Sequence, residues 1–184
     1  MQHRSAAVRR CGGAVGRGTG PAPRARPPIL AAMSSLPFLD RSHPDAWQQL
    51  GQVAAGIGTA AGRAGVARST TELMILRISQ LNGCAYCVHV HSRKALRAGV
   101  AQERLAQLPV WRDSPSFDEV ERAALLLGET LTFLPDPSVR DRDLILAREA
   151  LGDDAFTVLE WAAILMNTYN RLSIASHHPV PGPS

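Results

Sequence analysis

The chain has 184 residues, 45% hydrophobic and 20% charged, which suits one globular domain with a sizeable core and is short for two. No apolar run approaches the roughly 20 residues that a membrane-spanning helix needs, so no membrane partner is expected. The net charge of +4 would favour nucleic acid if it were spread over the fold, but residues 1–32 hold six arginines (Arg4, Arg9, Arg10, Arg17, Arg24 and Arg26) and no acid; taking that +6 from +4 leaves −2 for residues 33–184.

The part expected to fold is therefore slightly acidic, and no nucleic-acid partner is expected. Residues 1–33, rich in Arg, Gly and Pro and without apolar periodicity, read as a disordered tail. Its prolines speak against an amphipathic transit peptide, and it has no continuous apolar segment for secretion. The favoured reading is a natural start at Met33, with the preceding residues an upstream extension. Of the three cysteines, Cys11 lies in this tail and the other two, Cys84 and Cys87, are three residues apart. That is no disulfide framework, and a lone Cys-x-x-Cys pair points to a reducing compartment, the cytoplasm by default.

From residue 44 onward the spacing is helical throughout, which predicts an all-α bundle of about six helices in a domain spanning 34–176. The first runs from about Pro44 to Ala60 on Trp47, Leu50, Val53 and Ile57, after which Gly58, Gly62 and Gly65 loosen the chain. The second starts at a Ser69/Glu72 capping box and carries Leu73, Leu76, Ile78 and Leu81. Asn82-Gly83 breaks it. The third runs from about Cys84 to Ala98 and is closed by Gly99 in the usual position for a left-handed cap.

A fourth helix is expected after Pro115, on a Ser116/Glu119 capping box, and ends at Pro135. A fifth starts at Ser138, and a sixth runs from Asp153 or Asp154 to about Ser173. The proline-rich end, residues 177–184, is expected to be frayed, with His177 and His178 in solvent. No phosphate loop or dinucleotide fingerprint is present, and no cofactor is expected.

On the third helix, Cys84, Cys87 and His91 share a face, while His89 is turned about 200° from Cys87. Cys84 falls at the first turn, where free N–H groups and the helix dipole stabilise a thiolate, and His91 can accept the proton of Cys87. A reactive thiolate with a second thiol one turn away is the minimum apparatus for attacking a peroxide and then closing a disulfide. A hairpin turning at Gly83 brings Glu72 within a turn of His91, making Glu72–His91–Cys87 a candidate proton relay. The plainer alternatives are that Glu72 only caps its helix and that the cysteines bind zinc. A tetrahedral zinc site needs four ligands, and no spacing supplies the fourth.

The run LRISQLNGCAYCVHVHSRKALRAGV, with Glu72 twelve residues before Cys84, resembles the AhpD-like alkylhydroperoxidases of the carboxymuconolactone decarboxylase superfamily. The resemblance continues through LAQLPVWRDSPSFDEVERAALLLGETLT to AAILMNTYNRLSIAS and so covers most of residues 44–176. It implies an all-helical homo-oligomer, a trimer or hexamer. It also implies a thiol-dependent peroxidase in which Cys87 is peroxidatic, Cys84 is resolving, and Glu72 and His91 relay protons. The implied partners are a peroxide substrate and an external dithiol reductant. Two positions differ from the relatives: Tyr86 stands where peroxidase members carry a relay histidine, and His89 where an aspartate is common. Other outcomes kept open are a zinc-binding or thiol-switch oligomer and a relative acting on another organic substrate such as a lactone.

Overall fold

The computed structural model describes residues 36–182, and every regular element among them is helical. In chain order these are α1 (Leu39–Ser42), α2 (Pro44–Arg63), α3 (Arg68–Leu81), α4 (Ala85–Arg97), α5 (Gln102–Gln107), α6 (Glu119–Phe133), α7 (Pro137–Leu151) and α8 (Asp153–Ala175), with a 3-10 turn over Leu108–Val110. The six helices expected from spacing are all present. The two additions, α1 and α5, are one-turn to two-turn pieces of four and six residues, too short to display a period. The expected tail and the start at Met33 lie outside the described residues.

Helix α3 is the centre of the bundle and packs on α4, α6 and α8. It is buried nearly all round, from Thr70 through Met74 and again at Leu76, Ile78 and Ser79, so it contributes to two apolar clusters at once. One cluster joins Met74 and Ile78 to Leu127, Leu159, Ala163, Met166 and both cysteines. The other joins Leu73 and Leu76 to Leu108, Trp111, Phe117 and Leu125. Close approach of α6 to α3 depends on Gly128, where a Cβ would fall 2.8 Å from Met74 Cγ.

Several helix ends differ from expectation. Helix α2 runs through Gly58 and Gly62 and stops only where Gly65 takes a φ of +74°, a left-handed turn that glycine enters without steric cost. Helix α3 starts at Arg68 with Ala67 as N-cap and no side-chain cap, so the Ser69/Glu72 box does not form. Helix α6 is capped by Asp118, which accepts from the Glu121 N–H at 2.8 Å while Glu121 accepts from the Asp118 N–H at 3.1 Å. The expected Ser116/Glu119 box is displaced because the Ser116 hydroxyl donates instead to Gln107, at 2.9 Å.

Two polar side chains, one buried and one half-buried, tie the bundle together. Glu129 on α6 accepts from Arg77 Nε at 2.6 Å and from Trp111 Nε1 at 3.0 Å, and also pairs with Arg112. Burial pushes its carboxyl upward, but these three donors outweigh that and hold it below the ordinary 4.5. Asn82, at the end of α3, donates to Asn167 Oδ1 at 2.9 Å and Asn170 Oδ1 at 3.0 Å, which fastens the α3–α4 turn to α8.

Candidate active site

The turn that begins the site is set by Gly83, at φ +69°, which folds α4 back along α3. Cys84 follows as the N-cap of α4, with extended backbone, and its sulfur accepts from the Cys87 N–H at 3.3 Å. The two sulfurs lie at bonding distance with Cα atoms 5.3 Å apart, inside the range a disulfide requires. The two are not equivalent. Cys84 is 1% exposed and sealed in the core, whereas Cys87, at 5%, lines a cavity of about 340 Å³.

The antiparallel course of α3 and α4 brings Glu72 to His91, as the hairpin spacing predicts. The His91 Nδ1–H donates to Glu72 Oε2 at 2.7 Å, since the carboxylate can only accept, and a neutral ring then keeps its lone pair on Nε2. The other oxygen of Glu72, Oε1, pairs with Arg68 Nη2 at 2.5 Å. Glu72 is therefore fully engaged by side chains and is no helix cap. Its burial alone would raise the carboxyl, but the hydrogen bond from His91 and the charges of His91, Arg68 and Lys94 hold it below the ordinary 4.5. The carboxylate stays ionised under the imidazole.

Glu72, Cys87 and His91 all line the one cavity, together with Tyr86, Arg68 and Lys94. Its remaining walls are largely apolar and come from α2 and α8, including Trp47, Ile57, Leu165, Met166 and Tyr169. His89 does not line it, in keeping with its place on another face of α4. Among the described residues no group of three or more His, Cys, Asp or Glu side chains is arranged to hold a metal ion.

His178, expected in solvent, is only 12% exposed at its side chain and forms part of the cavity wall. Its ring stacks on Phe38 with centroids 5.5 Å apart, meets Tyr86 edge-on at 5.4 Å, and approaches Asp40 Oδ1 through Nε2 at 3.2 Å. No local pattern could have announced this, because the partners Phe38 and Asp40 lie more than 130 residues away along the chain; His177 is exposed as expected.

The profile of the carboxymuconolactone decarboxylase family matches residues 44–130, the stretch from α2 through most of α6. The chain is also 34% identical over 108 residues to the uncharacterized protein YdfG of Bacillus subtilis, covering 59% of this chain and 74% of that one. The chain belongs to the carboxymuconolactone decarboxylase family. A second relative, the uncharacterized protein YnjA of Escherichia coli, is 32% identical over 113 residues and covers 60% of each chain. Among solved structures, a protein of unknown function from Agrobacterium tumefaciens, described as a candidate antioxidant defence protein AhpD, superposes with a TM-score of 0.68. That match spans 78% of this chain and 96% of the other at 24% identity, and it establishes a shared AhpD-like fold. No helix among the described residues is long and apolar enough to cross a membrane.

Proposed function

We propose that this family member is a thiol-dependent peroxidase. The observation that carries the reading is the placement of Cys87: at bonding distance from Cys84, open to a cavity, and on the same wall as the Glu72–His91 pair. In the reduced protein, His91 backed by Glu72 takes the thiol proton, and the Cys87 thiolate attacks the terminal oxygen of a hydroperoxide, ROOH. A sulfur–oxygen bond forms as the O–O bond breaks, and the alkoxide leaves as ROH with the proton returned by His91. Cys84 then attacks the sulfenic acid of Cys87, expelling water and closing the disulfide. An external dithiol reduces it by exchange, which balances the cycle as ROOH plus dithiol giving ROH, water and disulfide.

Exposure and cover support the assignment of roles. Cys87 faces the substrate and is peroxidatic; Cys84, sealed behind it, is resolving. A cycle that ends in reduction by dithiol belongs in a reducing compartment, and we place the protein in the cytoplasm. Exposed apolar side chains on α8, Trp161 and Ile164 among them, accord with the homo-oligomer, trimer or hexamer, that the family resemblance implies. We take the working domain to be residues 34–176, with His178 added to it.

The test is peroxide-dependent disulfide formation in the Cys87→Ser variant, followed by thiol titration with mass analysis. The variant is expected to show none. Undiminished turnover would overturn the reading.

A further inference from the structure

Of the chain's 20 lysines and arginines, all but Lys94 are arginine, and that single lysine lines the cavity that holds Cys87. It is half-buried and makes no ion pair among the described residues. The stem of a lysine can lie along an apolar wall while its ammonium remains a compact, mobile charge. Such a charge, partly withdrawn from water and without a counter-ion, is short of the partner that a desolvated charge requires.

The protein supplies none. Glu72 is the one acid on the cavity wall, and both of its oxygens are taken, Oε2 by His91 and Oε1 by Arg68. Against the burial of Glu72, the charge of Lys94 joins those of His91 and Arg68 in holding that carboxyl low, so the ammonium stands within electrostatic reach of the site. With Arg68 matched by Glu72 and neutral imidazoles, one positive charge on the wall is left over. A single unmatched charge suits a monoanion, a carboxylate rather than a phosphate dianion.

The helices also fix where that charge lies. Cys87, His91 and Lys94 follow one another at spacings of four and three on one face of α4, so Lys94 lies about 10 Å of helix rise beyond Cys87. Because α3 runs antiparallel to α4, its first residue, Arg68, comes to the same end of the cavity as Lys94. The Arg68 side chain is 64% exposed, which marks this as the end nearer to solvent, and only its Nη2 is engaged by Glu72. Between the cations and the far walls at Ile57, Leu165 and Met166 the lining is largely apolar. At about 340 Å³ the cavity is in the range of small-molecule sites, and hydrogen peroxide, with two heavy atoms, would leave most of it empty.

We propose that Lys94, with Arg68 beside it, binds the carboxylate of an organic hydroperoxide whose O–O group and carboxylate stand at opposite ends of an apolar chain. This deepens the peroxidase reading by naming the substrate class, and it rests on that reading. Lys94 binds and positions; bond cleavage remains at Cys87.

Binding is tested by calorimetry on the disulfide form, which cannot turn over, with hexanoate and its neutral counterpart hexanamide as probes. The parent is expected to bind hexanoate more tightly. Lys94→Met, which keeps the stem and removes the charge, is expected to reduce that preference about tenfold, the worth of one charge-assisted hydrogen bond. Should that variant fail to fold, acetylation of the folded parent gives the same answer, since the N-terminal amine is the only primary amine besides Lys94. Hexanoate is expected to shield Lys94 from acetylation, read by mass analysis, and hexanamide is not. Equal affinity for the two probes, or a preference that survives loss of the Lys94 charge, would overturn the proposal.

A second arm compares oxidation of reduced Cys87 by 6-hydroperoxyhexanoate and by its methyl ester. The parent is expected to react faster with the acid, and Lys94→Met to lose that difference. Equal rates in the parent would overturn the substrate class. If neither compound oxidises Cys87 while hexanoate still binds through Lys94, the peroxidase reading fails and takes the substrate class with it, and the carboxylate site stands.

Discussion

Glu72 on α3 and His91 on α4, nineteen residues apart in sequence, share a 2.7 Å hydrogen bond inside the cavity that Cys87 lines. The imidazole is oriented by a carboxylate whose pKa burial alone would raise, and which His91, and Arg68 from the other side, hold below its ordinary value. In Glu72→Gln the amide retains the shape but not the charge, so the ring loses its electrostatic support. Stopped-flow measurement of Cys87 oxidation by hydroperoxide is expected to slow by about 10²-fold, the low end of what a positioned acid–base group supplies. A rate within twofold of the parent would remove Glu72 from the relay.

In the proposed cycle, resolution is separable from attack. In Cys84→Ser the Cys87 thiol still meets the cavity, so one equivalent of peroxide is expected to be consumed and the reaction to stop at a sulfenic acid. Mass analysis should find a gain of one oxygen on Cys87, trappable by a sulfenic-acid reagent, and multiple turnovers should be lost.

Acid stability follows from two carboxylates whose folded values are held low. For Glu72 and Glu129 the unfolded chain binds the proton more tightly than the native state does, so their contribution is complete above about the ordinary 4.5 and is lost as pH falls through the lower folded values. The urea midpoint is expected to be flat from pH 7 to pH 5 and to drop below it. In Glu129→Gln the overall stability should be lower at pH 7 and the acid slope shallower, since one of the two titrations is gone.

Packing of α6 on α3 sets a further expectation. A methyl at position 128 would sit 2.8 Å from Met74 Cγ and 3.3 Å from two carbons of Ile78, so those side chains would have to shift. Gly128→Ala is expected to cost about 1–3 kcal/mol by overpacking, read as a lower melting temperature. Adding Met74→Ala, itself costly, should give a double variant more stable than the sum of the two losses, because the sites touch.

The tether at Asn82 can be tested the same way. Asn82→Ala removes two hydrogen bonds and leaves Asn167 and Asn170 with less to bond inside the bundle. A loss of about 1–3 kcal/mol is expected from denaturant titration, with hydrogen exchange at the start of α4 accelerated.

Much of this architecture can be read from residue spacing, for identifiable reasons. Helices α2, α3, α4, α6, α7 and α8 are long enough for apolar residues to recur, and the Glu72–His91 contact follows from folding two helices about Gly83. Helix starts were less legible because the signals are degenerate: Ser116/Glu119 and Asp118/Glu121 both fit a capping box, and only the distant Gln107 decides between them. Asn82 and Glu129 carry no local mark of their tertiary bonds, since one reads as a helix breaker and the other as a charge on a helix. His178 lay furthest from reach, its partners Asp40 and Phe38 being at the opposite end of the domain.

The asymmetry between the two cysteines constrains traffic as well as chemistry. With Cys84 closed off and Cys87 lining the cavity, the proposed cycle brings the oxidant and the reducing dithiol to the same sulfur through one doorway. They can visit only in turn. Initial-rate plots at several reductant concentrations should therefore be parallel, and an excess of either reactant should slow the other by occupying its place.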